Sequence, residues 1–119
     1  AAVSDYRLKN PYSKKISSNQ ARVNLQLVPT KKIIHWIKRL NPKAFLVGFK
    51  LEKKRDLKKF KQKAADLIKK ANCDLVVANS FQGQYYQGYI LDKQQNVLFE
   101  GKSRLSISQG LTRILCHQR

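Results

Sequence analysis

Two apolar segments on either side of one amphipathic helix constrain the fold more than any other part of this sequence. "AFLVGFKL", residues 44–51, and "CDLVVAN", residues 73–79, are apolar on both faces, which is typical of central strands in a parallel sheet. Between them, residues 56–71 repeat apolar side chains three and four apart with lysines in between, which predicts a helix that begins near Asp56. This order of strand, helix and strand predicts a right-handed crossover between parallel strands.

The flanking segments extend the pattern to an α/β fold. Alternation over residues 23–27 predicts a strand, and Thr30 stands where it would cap a helix that ends near residue 41. Residues 85–101 alternate on both sides of a turn and predict a β-hairpin, after which Ser103 caps a last helix. We predict one domain over residues 1–119: a Rossmann-like, mostly parallel sheet flanked by helices, with a C-terminal hairpin and helix.

Two features stand apart from this pattern. Residues 6–20, "YRLKNPYSKKISSNQ", are polar and irregular, and we predict that they form a mobile flap loop. The chain opens with "AAVSDY", the composition of a strand interior, which predicts that the chain is a fragment of a larger domain.

The charge is strongly positive. Lys and Arg number 25 against 7 Asp and Glu, a formal net charge of +18, which attracts nucleic acid, nucleotide phosphates or an acidic membrane surface. Tyr85, Tyr86 and Tyr89 on the hairpin offer stacking faces, so a small basic nucleic-acid-binding module is an open alternative. The lysines are spread over every predicted element and the sequence contains no nucleic-acid motif, which argues against specific nucleic-acid recognition.

The apolar runs and the cysteines bear on membrane association and on the redox compartment. No apolar run reaches the roughly 18 residues that a membrane-spanning helix needs, so we predict no membrane partner. Cys73 and Cys116 lack metal-ligand spacing and are typical of buried thiols in a reduced, cytoplasmic protein.

Three predicted strands end in unusual residues: Ser4 and Asp5, Gly48 and Phe49, and Ala78 and Asn79. Ligands of open α/β sheets bind outside the carboxyl ends of the parallel strands, so these ends predict one ligand crevice. A glycine there admits a ligand to the backbone, an aromatic ring stacks on a base, and Asp or Asn side chains form hydrogen bonds. Singly, each residue has a structural alternative, as a strand kink, a core ring or a turn former.

Five segments, in order, resemble one enzyme family. "AAVSDY", "KKIS", "LVP", "NPKAFLVGFKLE" and "DLVVAN" occur in the order and approximate spacing of phosphopantothenate–cysteine ligase, the synthetase domain of the DNA/pantothenate metabolism flavoproteins. The resemblance covers nearly the whole chain and corresponds to the C-terminal part of that domain. An N-terminal half with a glycine-rich turn is then expected to be missing, and the fragment alone is expected to be inactive.

The resemblance implies an activity. Such ligases join 4′-phosphopantothenate to cysteine in coenzyme A biosynthesis, through an acyl-nucleotide formed with CTP or ATP and Mg²⁺, and they form homodimers. The flap lysine of the family corresponds to Lys15, which is implied to be catalytic. The residues implied to contact the nucleotide are Asp5, Lys15, Thr30, Lys31, Lys32, Ile33, Gly48, Phe49, Asn79 and Lys70, with Lys69 as the alternative to Lys70.

Three departures from the family pattern concern the nucleotide. Asp66 or Ala65 stands where the first of two base-reading lysines is expected, four residues before the second. Ser80 replaces an aspartate, and Ser17 replaces the second lysine of the family's Lys-Ile-Lys. The choice between CTP and ATP therefore stays open, as does a third possibility, that the chain serves mainly as an association module.

Overall fold

The computed structural model describes residues 4–53 and 56–117, and the chain divides into two units, residues 1–33 and 34–119. In the first unit, strand β1 (Tyr6–Leu8) pairs antiparallel with β2 (Leu27–Pro29). Hydrogen bonds from Lys9 N–H to Gln26 O and from Thr30 N–H to Asp5 O, both 2.8 Å, extend this ladder by one step at each end. Residues 9–26 therefore form a long loop that is closed by a short two-stranded stem.

Two predictions for the first unit were wrong, and a third lies outside the described residues. The strand predicted from residue 23 begins only at Leu27, and Val23 and Leu25 are exposed. Thr30 does not cap a helix, since α1 begins four residues later (Ile34–Leu40). The opening strand predicted at residues 1–3 falls on positions that are not described, and Ser4 and Asp5 precede β1 without belonging to a strand.

The second unit carries the sheet and the three helices. After α1 come β3 (Val47–Glu52), α2 (Leu57–Ala71), β4 (Leu75–Gln82), β5 (Tyr85–Asp92), β6 (Val97–Gly101) and α3 (Arg104–His117). The sheet order is β3-β4-β5-β6, with β3 and β4 parallel and the other two pairings antiparallel. The α/β class, the flanking helices and the C-terminal hairpin and helix are confirmed, and the sheet in the described part is mixed.

Local signals account for the helix ends in this unit. The Asp56 side chain accepts hydrogen bonds from the N–H groups of Lys58 and Lys59, which satisfies two donors at the start of α2. Asn72 ends α2 in the left-handed conformation, at φ 54°. Ser103 Oγ accepts a 3.0 Å hydrogen bond from Ser106 N–H and caps α3, as the sequence predicts.

The sheet separates two apolar layers. Side chains alternate between the faces of a strand, so neighbouring residues belong to different layers. The α2 layer is built from Leu46, Phe60, Ala64, Ala71, Cys73, Val76, Ala78 and Leu91. The α3 layer is built from Leu75, Val77, Ile90 and Ile107, with Val47, Tyr86, Phe99, Leu111 and Ile114 packed against it.

Helix α3 covers only half of its face of the sheet. It packs on β5 and β6, where Gly110 lets it approach so closely that a Cβ there would lie 2.5 Å from Phe99 Cδ1. The same face of β3 and the end of β4 stay uncovered, and Phe49, Leu51 and Phe81 are 64%, 67% and 50% exposed. A groove therefore runs along the side of α3.

Just before the start of β4, the Asp74 side chain contacts three other segments of the chain. Its Oδ2 lies 2.7 Å from Lys38 Nζ of α1 and accepts a 2.7 Å hydrogen bond from Leu46 N–H before β3. Its Oδ1 lies 2.9 Å from Lys93 Nζ in the turn after β5. Burial raises the pKa of Asp74, but the hydrogen bonds from Lys38, Leu46 and Lys93 outweigh it and lower the pKa from 3.8 to about 2.

We expect Asp74→Asn to lower the free energy of unfolding at neutral pH by about 2 kcal/mol, since one pKa unit corresponds to about 1.4 kcal/mol. The folded-state pKa is depressed, so this stabilisation is present above the ordinary pKa of 3.8 and is lost as the pH falls towards 2. Urea unfolding from neutral pH down to about pH 2 measures it. Asp66→Asn, at an exposed position of α2, is the matched control and should change little. If the difference in free energy of unfolding between wild type and Asp74→Asn does not decrease in acid, this account is contradicted.

Candidate functional site

A groove beside α3 is a concave site in the described residues of the second unit. Its volume is about 250 Å³, and it lies between α3 and the adjacent strands β3, β4 and β5. An apolar wall and a small number of polar groups are the usual composition of a ligand pocket. The lining residues are Phe49, Val77, Asn79, Tyr86, Arg104, Ile107, Ser108 and Leu111.

Two residues predicted from the sequence meet in this groove. Phe49 on β3 and Asn79 on β4 both line it, because they share the α3 face of adjacent strands. Asn79 Nδ2 donates a 3.2 Å hydrogen bond to Tyr86 Oη, which holds the amide in place and leaves its oxygen available as an acceptor. An exposed aromatic ring thus stands near a fixed amide, a pair that suits a planar ligand with a polar edge.

Gly48 corrects the crevice that the sequence predicted. It is the second residue of β3, not the last, and it is buried on the α2 face, opposite to Phe49. A Cβ at this position would lie 2.8 Å from Leu67 Cδ2 and 2.9 Å from Cys73 Sγ. The glycine therefore makes room for α2 against the sheet, so the predicted strand end with an open backbone at Gly48 was wrong.

The structure does not bring Lys70 to the groove. Lys69 and Lys70 lie exposed in the last turn of α2, on the other side of the sheet from Phe49 and Asn79. Because α2 runs antiparallel to β3 and β4, that turn lies next to the start of β4, whereas Asn79 is in its second half. A nucleotide contact by Lys70 stays a prediction without support from the groove.

In the first unit, two predicted residues are linked. Thr30 N–H donates to Asp5 O at 2.8 Å, and Thr30 Oγ1 is buried with no hydrogen-bond partner in the described part of the chain. Lys15 is exposed in the loop of residues 9–26. Lys31, Lys32 and Ile33 are exposed just before α1.

Arg104 is a charged groove residue that the sequence did not predict. Its guanidinium carbon lies 5.2 Å from the centroid of the Phe81 ring. It follows the correctly predicted cap Ser103, but nothing in the local sequence shows that the start of α3 lies beside β3 and β4. Tyr86 was singled out only as a possible stacking residue.

The two cysteines differ in exposure. Cys73 is buried, and burial together with the nearby Asp74 carboxylate raises the pKa of its thiol, so this half of the prediction is confirmed. Cys116 is exposed near the end of α3, so the prediction was wrong there. It stands nine residues after Ile107, on the opposite side of the helix.

Metal-ligand clusters and membrane spans are absent from the described residues. Within residues 4–53 and 56–117, no three His, Cys, Asp or Glu side chains are grouped so that they could hold a metal ion. These residues therefore offer no cluster of three side-chain ligands for Mg²⁺, an ion that is commonly bound by one or two carboxylates together with substrate phosphates. None of the described helices has the length and apolar character to cross a bilayer.

Comparisons with known proteins point to one family. Residues 1–112 match the family described as the DNA/pantothenate metabolism flavoprotein C-terminal domain. The coenzyme A biosynthesis bifunctional protein CoaBC of Thermococcus kodakarensis is 48% identical over 82 residues, which is 69% of this chain and 20% of that protein. CoaBC of Methanocaldococcus jannaschii is 27% identical over 116 residues, 93% of this chain and 28% of that protein. The chain thus spans less than a third of these relatives.

Solved structures share the fold. The crystal structure of the DNA/pantothenate metabolism flavoprotein from Streptococcus pneumoniae superposes with a TM-score of 0.78 at 26% identity, over 99% of this chain and 61% of that one. A Cab2 variant in complex with phosphopantothenate-cysteine superposes with a TM-score of 0.60 at 20% identity, over 99% of this chain and 44% of that one.

Proposed function

Because the chain belongs to the DNA/pantothenate metabolism flavoprotein C-terminal domain family, we propose that it forms part of a phosphopantothenate–cysteine ligase of coenzyme A biosynthesis. The family match over residues 1–112 is the observation that carries this proposal. The groove that unites Phe49 with Asn79 supports it, because both residues were singled out for nucleotide contact from the sequence.

The proposed reaction has two steps. The carboxylate of 4′-phosphopantothenate attacks the α-phosphorus of CTP or ATP, which forms an acyl-nucleotide and releases pyrophosphate. The amine of cysteine then attacks the activated carbonyl, forms the amide bond and releases the nucleoside monophosphate. The first step brings an anion to a polyanion, so positive side chains close to the phosphates lower its barrier.

Individual residues have distinct proposed roles. Phe49 offers its ring face to the base or sugar, and Asn79, held by Tyr86, offers its amide oxygen as an acceptor. A contact of Lys15 with the phosphates is proposed from the family resemblance. Nucleotide contacts by Asp5 and by residues 30–33 are proposed from the family resemblance, as are a homodimer and a cytoplasmic location. We derive no step through Mg²⁺.

The alternative of a nucleic-acid module loses part of its basis in the structure. It relied on three tyrosines of the hairpin as a stacking platform. Tyr86 instead accepts the hydrogen bond of Asn79, and the Tyr89 ring packs at 5.2 Å between centroids on the buried Phe60. Tyr86 and Tyr89 are thus engaged in internal contacts, so we do not propose this function.

The proposal is tested on the complete enzyme, meaning this chain together with whatever remainder of the ligase domain its activity requires. With 4′-phosphopantothenate and CTP or ATP it should release pyrophosphate, and added cysteine should convert the acyl-nucleotide into the amide product. Running both nucleotides in parallel decides between CTP and ATP. Pyrophosphate release that does not depend on 4′-phosphopantothenate would exclude the ligase.

For the groove, we expect Phe49→Ala to weaken nucleotide binding by about 1–3 kcal/mol, the usual loss for one stacking face. The ring is 64% exposed, so the truncation should leave stability nearly unchanged, in contrast to the roughly 3–5 kcal/mol of a buried phenylalanine. Calorimetric titration and the melting temperature measure the two effects. Leu51→Ala, at an equally exposed position on the same face of β3 that does not line the groove, is the control. Unchanged affinity in Phe49→Ala would remove this groove from the nucleotide site.

A further inference from the structure

Arg104 gives the groove a positive charge at one side. It is the one basic residue among the described residues that line the groove, and none of those lining residues is acidic. Its guanidinium carbon lies 5.2 Å from the Phe81 ring centroid, a distance at which an arginine is attracted to an aromatic face. The charge is thus held in position beside the groove without a neutralising carboxylate in the lining.

The helix itself does not favour an arginine at this position. Arg104 is the first residue of α3, where the helix dipole is positive and disfavours a cation, and the first turn contains no acidic residue to compensate. The helix is already capped by Ser103. A bound anion would turn this unfavourable placement into an attractive one.

The groove is smaller than a pocket that encloses a whole nucleotide. Pockets that enclose a whole drug-sized ligand usually occupy about 300–1,000 Å³, and this groove has about 250 Å³. It therefore suits one planar group against Phe49, with an attached anionic group at the Arg104 side of the groove.

We propose that Arg104 is a phosphate-binding residue of the groove: the base or sugar of a nucleotide lies against Phe49, and the guanidinium binds its phosphates. This inference rests on the proposed nucleotide site and adds a residue that neither the sequence nor the family resemblance assigns. Arginine suits the role because its planar fork donates two parallel hydrogen bonds to a phosphate.

The test compares nucleosides with nucleotides. Affinities of the 119-residue chain for cytidine, CTP, adenosine and ATP are measured by calorimetric titration at about 0.15 M salt, where the Debye length of about 8 Å screens general charge effects. Arg104→Gln should weaken binding of the preferred triphosphate by about tenfold or more, as expected for a lost charged hydrogen bond, while affinity for its nucleoside stays within about twofold. Arg113→Gln is the matched control, with the same charge change on the far side of α3, and should leave both affinities within about twofold.

Folding is checked in the same samples. Arg104→Gln removes a cation from the positive end of α3, so its melting temperature should stay within about 4 °C of wild type. Equal losses of triphosphate affinity in Arg104→Gln and Arg113→Gln would assign the effect to net charge and overturn the inference. An equal loss of nucleoside and triphosphate affinity in Arg104→Gln, or no binding of any of the four probes by wild type, would overturn it too.

The role of Arg104 and the ligase proposal can fail independently of each other. If the complete enzyme releases pyrophosphate in the presence of 4′-phosphopantothenate but Arg104→Gln binds the triphosphate normally, the ligase stands and the role of Arg104 fails. If triphosphate binding depends on Arg104 but no such release occurs, the phosphate site stands and the ligase assignment fails.

Discussion

Lys15→Ala should slow acyl-nucleotide formation in the complete enzyme by about 10²–10³-fold, the usual loss when one group that stabilises transition-state charge is removed. Lys15 lies exposed in the loop of residues 9–26, so its ammonium group is free to meet the phosphates as charge develops on them. Because the side chain is solvated in the absence of nucleotide, the free energy of unfolding should stay within about 0.5 kcal/mol of wild type. Single-turnover measurement of pyrophosphate release isolates the affected step.

The adjacent Lys14 provides the control. It is exposed in the same loop and carries the same charge, so Lys14→Ala removes equal charge one position away. Only a modest loss of rate is expected from it. If Lys14→Ala and Lys15→Ala slow the step equally, the loop acts through its overall charge and the assignment of a single catalytic lysine is wrong.

Gly48→Val should destabilise the second unit by about 1–3 kcal/mol, the usual effect of inserting methyl groups into a packed core. The first added carbon alone would lie 2.8 Å from Leu67 Cδ2 and 2.9 Å from Cys73 Sγ, and valine adds two further carbons. The preference of valine for strands does not offset this, since the strand scale spans only about 1 kcal/mol. Chemical denaturation measures the change.

A rescue variant and a neighbouring substitution make the test specific. Leu67→Ala in the Gly48→Val background removes the closest side chain, so the two changes together should destabilise less than their sum. Phe49→Val introduces the same β-branched residue one position along β3, on the exposed face, and should leave stability nearly unchanged. A Gly48→Val protein as stable as wild type would show that α2 does not press on this glycine.

The contrast between Gly48 and Phe49 shows what the sequence could predict here. The α2 limits followed from its apolar spacing and from Asp56, because helix periodicity and caps are local. The apolar run of residues 44–51 identified a strand, but apolar residues on both faces conceal which layer each one joins. Strand alternation alone excludes a shared crevice for two successive residues, so this error was avoidable.

Other features depended on distant parts of the chain. Strand β4 continues to Gln82, three residues beyond its predicted end. Its pairing with β5 continues over residues 80–82 and so keeps them in the strand. That antiparallel pairing is also why the sheet is mixed. Arg104 lies beside the groove because α3 packs on β5 and β6, where Ile107 is buried in the α3 layer and Gly110 lies close to Phe99.

The order of the sheet has a consequence for folding kinetics. Strands β3 to β6 lie side by side in the same order as along the chain, so every strand pairs with its neighbour in sequence. Only the β3–β4 pairing requires a crossover, through α2, and the other two close over short turns. Local pairings carry a small loop-closure entropy and favour fast folding. Helix α3 supplies half of the residues that line the groove, so the groove forms only when this helix has docked on the sheet.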